Sequence, residues 1–169
     1  NPAFYPHLTA DRFLAYCARL LHMDSSTYSK RIDVLLEQMG LLDVRKRPLS
    51  EFSRGMLQRI GIAQALLNNP ELVILDEPIT GLDPLGRAEV KEIIKGLKSE
   101  GRMVFFSSHI LADVEQMCDE IGVLNHGRLV CRGKLKDLLA KTDTTVWVDG
   151  LDAQAVEELE AMAESVTKK

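Results

Sequence analysis

Aromatic side chains are scarce in this chain. They make up 5% of its 169 residues, with a single tryptophan, so aliphatic residues must build most of any core. Cysteine is nearly absent too. Cys17, Cys118 and Cys131 are odd in number and far apart, which suits neither a disulfide framework nor a zinc site and reads most simply as a reducing compartment. No apolar run approaches the ~20 residues of a membrane span. The N-terminus has no charged start followed by an apolar stretch, the mark of a secretory leader. An excess of positive charge is also missing. With 21 Lys and Arg against 25 Asp and Glu, the net charge is −4. That balance is poor for gripping a phosphate backbone, so no nucleic-acid partner is expected. Internal repeats and low-complexity tracts are lacking as well.

What is present is the balance of a globular protein, 46% apolar and 27% charged. The length suits one domain, or one domain with a short appendage. The charge is unevenly spread. Residues 1–59 hold nine Lys/Arg and six Asp/Glu, whereas residues 60–169 hold 12 and 19. The basic half centres on Arg45-Lys46-Arg47 and on Arg54 and Arg59, either a solvated surface or one that meets an anion or acidic partner.

The first third reads as helices. Phe13, Leu14, Cys17, Leu20 and Leu21 recur at helical spacing after Thr9 or Asp11 as a cap. Ile32, Leu35, Leu36 and Met39 repeat the pattern and Gly40 ends it. Ser53 precedes a third helix carrying Ile60, Ile62, Ala63, Leu66 and Leu67, which Asn68-Asn69-Pro70 stops. From residue 71 the pattern changes. Leu72-Val73-Ile74-Leu75 and Met103-Val104-Phe105-Phe106 are continuous apolar runs, which predict strands buried on both faces of a parallel sheet. Between them Asp83-Pro84 opens a helix with Val90, Ile93, Ile94 and Leu97 inward. Ile110, Leu111, Val114 and Met117 predict a short helix. Asn125-His126-Gly127 predicts the turn of a hairpin between Ile121–Leu124 and Leu129–Cys131, with a short helix at Leu135, Leu138 and Leu139 after it. Thr144–Val148 reads as a strand and Ala153–Ala163 as an acidic, solvated helix. Strand and helix alternation over residues 71–118 implies an α/β layered fold.

Three segments carry chemistry. In Leu72-Val73-Ile74-Leu75-Asp76-Glu77-Pro78, two carboxylates sit where a strand leaves the sheet, the usual place for ligand sites in open α/β sheets. One carboxylate suits a hydrated magnesium ion and the next can polarise a water, or both are simply solvated. Gly81-Leu82-Asp83-Pro84 follows directly. Ser107-Ser108-His109 ends the next strand, where His109 can donate to a phosphate oxygen or serve the structure alone. Upstream, Phe52-Ser53-Arg54-Gly55-Met56-Leu57-Gln58-Arg59 opens a helix. Its N-terminus, the Ser53 hydroxyl and the bare backbone at Gly55 suit an anion, although Ser53 also serves as a plain cap.

In this order the segments resemble the nucleotide-binding domain of ABC transporters, over about residues 1–135. Phe52–Met56 is similar to the family's signature loop, usually Leu-Ser-Gly-Gly-Gln, and Leu72–Asp76 to its Walker B strand. Glu77 matches the catalytic glutamate, Thr80–Asp83 the D-loop and His109 the switch histidine. The wording around them is most like bacterial ABC-2-type exporter subunits. Arg54 and Met56 depart from the signature, and Thr80 replaces the common Ser. The string Gly-x-x-x-x-Gly-Lys-Ser/Thr, which cradles the β- and γ-phosphates, occurs nowhere in this chain, nor does the aromatic that stacks on adenine before it. Asn1-Pro2-Ala3 resembles the segment just after the Q-loop.

The resemblance therefore implies an α/β chain with a partial P-loop NTPase (ABC ATPase) fold, a helical subdomain followed by half of a parallel-sheet core. It divides the chain into residues 1–68 with the signature loop, 69–140 as the C-terminal half of the ATPase core, and 141–169 as a small appendage. It implies ATP and Mg2+ as cofactors, Asp76 on the metal, Glu77 on the attacking water and His109 on the γ-phosphate. Ser53, Arg54 and Gly55 would meet the nucleotide held by a second ATP-binding subunit, with Asp83 coupling the two sites. A transmembrane permease is the implied partner, and the inner face of the cell membrane the implied cytoplasmic location. Without the phosphate loop, the chain by itself is expected to be inactive and prone to self-association. The other readings are a non-transport ABC ATPase and a non-catalytic interaction fragment.

Overall fold

The computed structural model describes residues 4–139. The expected strand at Thr144–Val148 and helix at Ala153–Ala163 lie outside the described residues. Two compact units are present, one ending at Asp119 and the other beginning at Glu120.

The first unit opens with α1 (Ala10–Leu20) and α2 (Ser25–Gln38). Phe13, Leu14, Cys17 and Ala18 of α1 and Ile32, Leu35 and Leu36 of α2 are buried in one core, as their spacing predicts. Leu20 and Leu21 are exposed at the end of α1, contrary to that spacing, because the chain turns away there through His22 in a left-handed conformation. Thr9 sits at the cap position, but its hydroxyl donates to the Asp11 carboxylate rather than closing the helix. Gly40 ends α2 at φ 63°. The Leu41 amide bonds to the Leu36 carbonyl and the Gly40 amide to that of Glu37, a Schellman closure that a left-handed glycine makes easy. Two short 3-10 turns, Leu42–Val44 and Leu49–Glu51, then lead to α3 (Arg54–Ala65). The Leu49 amide bonds to the Leu8 carbonyl and the Ser50 amide to that of Pro6, which fixes the approach to Ser53.

After α3 come β1 (Leu72–Leu75), α4 (Pro84–Ser99), β2 (Met103–Phe106) and α5 (Leu111–Met117). β1 and β2 pair in parallel, Leu72 opposite Met103 and Leu75 opposite Phe106, with α4 as the crossover. Val73, Leu75, Val90, Ile94 and Leu97 join the same core as the first three helices. The strands are not buried on both faces. Val73 and Leu75 point into the core, but Leu72, Ile74, Met103 and Phe105 form an apolar face open to solvent, with Ile74 67% and Phe105 66% exposed. Two strands with helices on one side leave the other pleat face uncovered. On α5, Met117 is buried as expected, but Leu111 is exposed and Asp113 is buried instead.

The second unit is a hairpin of β3 (Glu120–Asn125) and β4 (Arg128–Lys134), followed by α6 (Leu135–Leu139). Its turn holds His126 at φ 47° and Gly127 at φ 74°, the two left-handed residues of a type I′ turn, so the hairpin forms where the sequence places it. A register irregularity falls between Val123 and Leu124. No helix among the described residues is long and apolar enough to cross a membrane.

Candidate functional site

The carboxyl ends of β1 and β2 lie side by side, so the residues that follow each strand meet. Ser107 links them. Its hydroxyl donates to Asp76 Oδ1 at 2.7 Å, and its Oγ accepts the Glu77 amide at 2.8 Å. The strand register explains this: with Leu75 opposite Phe106, the next residues out of the sheet are Asp76 and Ser107. Glu77 stands at φ 46°, a left-handed conformation costly for a residue with a Cβ, of order 1–3 kcal/mol. Its amide is held by Ser107 and its carbonyl accepts the Thr80 amide at 3.2 Å, so both sides of the strained residue are fixed.

The Glu77 carboxylate is held from two directions. Thr80 donates its hydroxyl to Oε2, and His109 Nδ1 lies 2.9 Å from both oxygens. The Thr80 hydrogen bond, then that of His109, lowers the Glu77 pKa below the ordinary carboxylate value, so the group is ionised at neutral pH. An ionised carboxylate only accepts hydrogen bonds. Nδ1 of His109 therefore carries the proton, and Nε2 is the free ring nitrogen.

Ser53, Arg54, Gly55 and Asp83 gather in a second group, at the N-termini of α3 and α4. Ser53 caps α3, accepting the Met56 amide at 3.2 Å, which leaves its hydroxyl hydrogen free. Asp83 caps α4 in the same way, accepting the Gly86 amide at 3.2 Å with Pro84 in the first turn. The two helix starts touch through bare backbone: a Cβ added at Gly55 would lie 3.7 Å from the Gly86 Cα. Gly55 thus serves helix packing as well as open backbone. The Arg54 guanidinium lies beside Gly81, and among the described residues Arg54 has no ion-pair partner. The loop Thr80–Asp83 joins the groups, since Thr80 binds Glu77 and Gly81 borders Arg54.

The other residues of the basic cluster, Arg45, Lys46, Arg47 and Arg59, are already partnered. Arg45 reaches Asp33 at 2.6 Å, Lys46 reaches Asp11 at 2.6 Å, Arg47 reaches Glu51 at 3.4 Å and Arg59 reaches Glu89 at 3.4 Å. The cluster at Arg45–Arg47 is a solvated, internally paired surface. Among the described residues no group of three or more His, Cys, Asp or Glu forms a metal cage. Asp76 and the Ser107 hydroxyl offer hard oxygen donors, which fits a largely hydrated magnesium ion rather than a fully caged metal. The sequence left three structural roles unassigned. Ser107 follows from the strand register alone; Gly86 is legible as the third residue after an Asp cap; Asp113 has no signal in a single sequence.

The ABC transporter family model matches residues 1–80. An uncharacterized ABC transporter ATP-binding protein of Nostoc sp. is 49% identical over 146 residues, which is 85% of this chain and 44% of that protein. The lantibiotic transport ATP-binding protein SrtF of Streptococcus pyogenes is 44% identical over 130 residues, covering 77% of this chain and 55% of its own length. The chain thus spans about half the length of these curated relatives. Among solved structures, an ATP-binding subunit of an ABC transporter superposes with a TM-score of 0.69 at 34% identity, over 82% of this chain and 58% of that one.

Proposed function

Since the chain belongs to the ABC transporter family of ATP-binding proteins, we propose that it works as part of an ATP-hydrolysing subunit that powers transport across a membrane. The observation that carries this reading is the meeting of Asp76, Glu77, Ser107 and His109 at adjacent strand ends. Residues 1–68 serve as its helical subdomain, 69–140 as half of its catalytic core, and 141–169 as an appendage. Magnesium, when bound, neutralises phosphate charge and polarises the γ-phosphoryl group. Asp76 is the residue that holds it, with Ser107 fixing the carboxylate's rotamer. Glu77 orients the attacking water. Its lowered pKa makes it an acceptor for a water proton rather than a strong base, which suits a reaction that depends on positioning more than on deprotonation.

His109 contacts the γ-phosphate through Nε2. With Nδ1–H spent on Glu77, Nε2 donates only when the ring is charged or when Glu77 has released it. Ser53, through its free hydroxyl hydrogen, Arg54, through its unpaired charge, and Gly55, through its backbone, meet the nucleotide of a second ATP-binding subunit. Asp83 couples the two sites across that interface. A transmembrane permease completes the assembly at the inner face of the cell membrane. The transport reading is favoured over a non-transport ATPase by relatives named for lantibiotic and bacitracin transport. The chain alone, without a phosphate-cradling loop, is inactive, and its open sheet face makes it self-associate.

The test is magnesium-dependent phosphate release. In a protein that carries these residues together with such a loop, Glu77→Gln lowers turnover by roughly 100-fold or more while ATP still binds. Unchanged turnover removes Glu77 from the chemistry. Measurable turnover by the 169 residues alone overturns the statement that they are inactive by themselves.

A further inference from the structure

Asp113 is the one buried charged or polar side chain among the described residues, at 2% exposure. Both of its oxygens are used. Arg87 Nη2 lies 2.8 Å from Oδ2 and Lys91 Nζ lies 2.6 Å from Oδ1. Lys91 also donates to Gln116 at 2.9 Å, a third bond from α4 to α5. α5 has seven residues and no side-chain cap at its start, too short to hold itself in place. Tertiary anchors must therefore set its position, and His109 lies two residues before it. At the other end, Arg87 belongs to the first turns of α4, and its amide bonds to the Asp83 carbonyl at 2.9 Å.

We propose that Asp113, clamped between Arg87 and Lys91, is a positioning residue that locks the His109 segment to the helix start at Asp83. The proposal rests on the ATP-hydrolysing role argued above. A buried ion triad is a poor source of stability, since well-packed apolar residues of similar size often do as well. Its distinctive property is direction. Two oxygens bound to two cations one helical turn apart fix both the rotation and the height of α5, which an apolar contact leaves free to slide. The loop from Ser107 to Ile110 is then held at both ends, by the pairing of β2 and by the seat of α5. Its held position is the one in which the imidazole meets Glu77. A movement of the Asp83 loop is passed to His109 through this clamp.

Two measurements test it. In this chain, the triple variant Asp113→Leu/Arg87→Met/Lys91→Met keeps an apolar seat for α5 without directed bonds. NMR is expected to show the Glu77 amide and His109 ring resonances displaced or broadened, with those of α1 and α2 unmoved. Arg87→Gln gives a smaller displacement that Arg87→Lys restores, and it covers the case in which the triple variant does not fold. Lys95→Gln, which removes a surface pair with Glu92, moves none of them. Folded variants with wild-type resonances at Glu77 and His109 overturn the proposal, whatever the parent's activity. In a protein that hydrolyses ATP, the clamp variants lower kcat about 10- to 100-fold and leave KM for ATP unchanged. An unchanged kcat overturns the proposal while the ATPase reading stands. A parent without turnover overturns the ATPase reading and leaves the resonance result to decide the clamp.

Discussion

Gly86 and Gly96 both lie in α4, yet their surroundings ask opposite things of them. A Cβ at Gly86 would sit 2.7 Å from the Asp83 Oδ1 that caps the helix, so any side chain there pushes the cap aside. At Gly96 nothing lies within 4 Å. Both positions gain the same backbone entropy and helix propensity on replacement by alanine, so comparing them isolates the cap. Urea denaturation should find Gly96→Ala more stable than the parent by about 0.5–1 kcal/mol. Gly86→Ala should fall about 1 kcal/mol below Gly96→Ala, the usual worth of an N-cap. Equal midpoints would mean that Asp83 does not depend on Gly86. At the same scale, Ser107 shows how a residue can matter without being a chemical group of the reaction. It holds Asp76 by its side chain and Glu77 by its backbone. Ser107→Ala leaves both contacts unmade; in a protein that carries these residues together with a phosphate-cradling loop, its effect on ATP turnover should overlap that of Glu77→Gln rather than add to it, which a double-mutant cycle measures.

The elements are joined chiefly by apolar packing, with a few buried or half-buried ion pairs that carry pH dependence. Leu35 and Leu36 on α2 are fully buried, so truncating either to alanine should cost about 2–5 kcal/mol, read from the denaturation midpoint. Asp113 ties α4 to α5, and Asp11 ties α1 to the loop at Lys46. At Asp113, burial raises the pKa, but the hydrogen bonds and charges of Lys91 and Arg87 outweigh it. At Asp11, burial is likewise outweighed by Lys46 and Thr9. Both carboxyls end below their ordinary value near 4. The unfolded chain therefore binds more protons than the folded one, and stability rises with pH through this range. The contribution is complete above the unfolded pKa, about 4, and is lost as pH falls below it through the folded values. Denaturation midpoints between pH 7 and pH 3 should drop mainly at the acid end, less steeply in Asp113→Asn. A drop centred near pH 6 would point to histidine instead.

The first unit has helices on one face of its two-stranded parallel sheet, and the apolar side chains of the other face are exposed. Leu72, Ile74, Met103 and Phe105 make a contiguous apolar patch between two unpaired strand edges, a surface that associates in water. Ile74→Thr with Phe105→Thr should leave the fold intact and lower concentration-dependent light scattering; unchanged scattering would acquit this face. Much of the molecule is legible in its sequence because much of it is local. The Ser53 and Asp83 caps, the Gly40 closure, the His126-Gly127 turn and the inward faces of α2 and α3 are decided within a few residues, by φ preference, hydrogen-bond reach and apolar period. Asp76, Glu77 and His109 were visible as strand-end residues for the same reason. Tertiary structure alone decided three things: that Ser107 bridges the two carboxylate residues, that Asp113 rather than Leu111 turns inward, and that the apolar strands keep one face open. Each depends on what comes from elsewhere in the chain to meet a residue. A carboxylate is buried only when its cations arrive, and an apolar strand only when a second layer covers it.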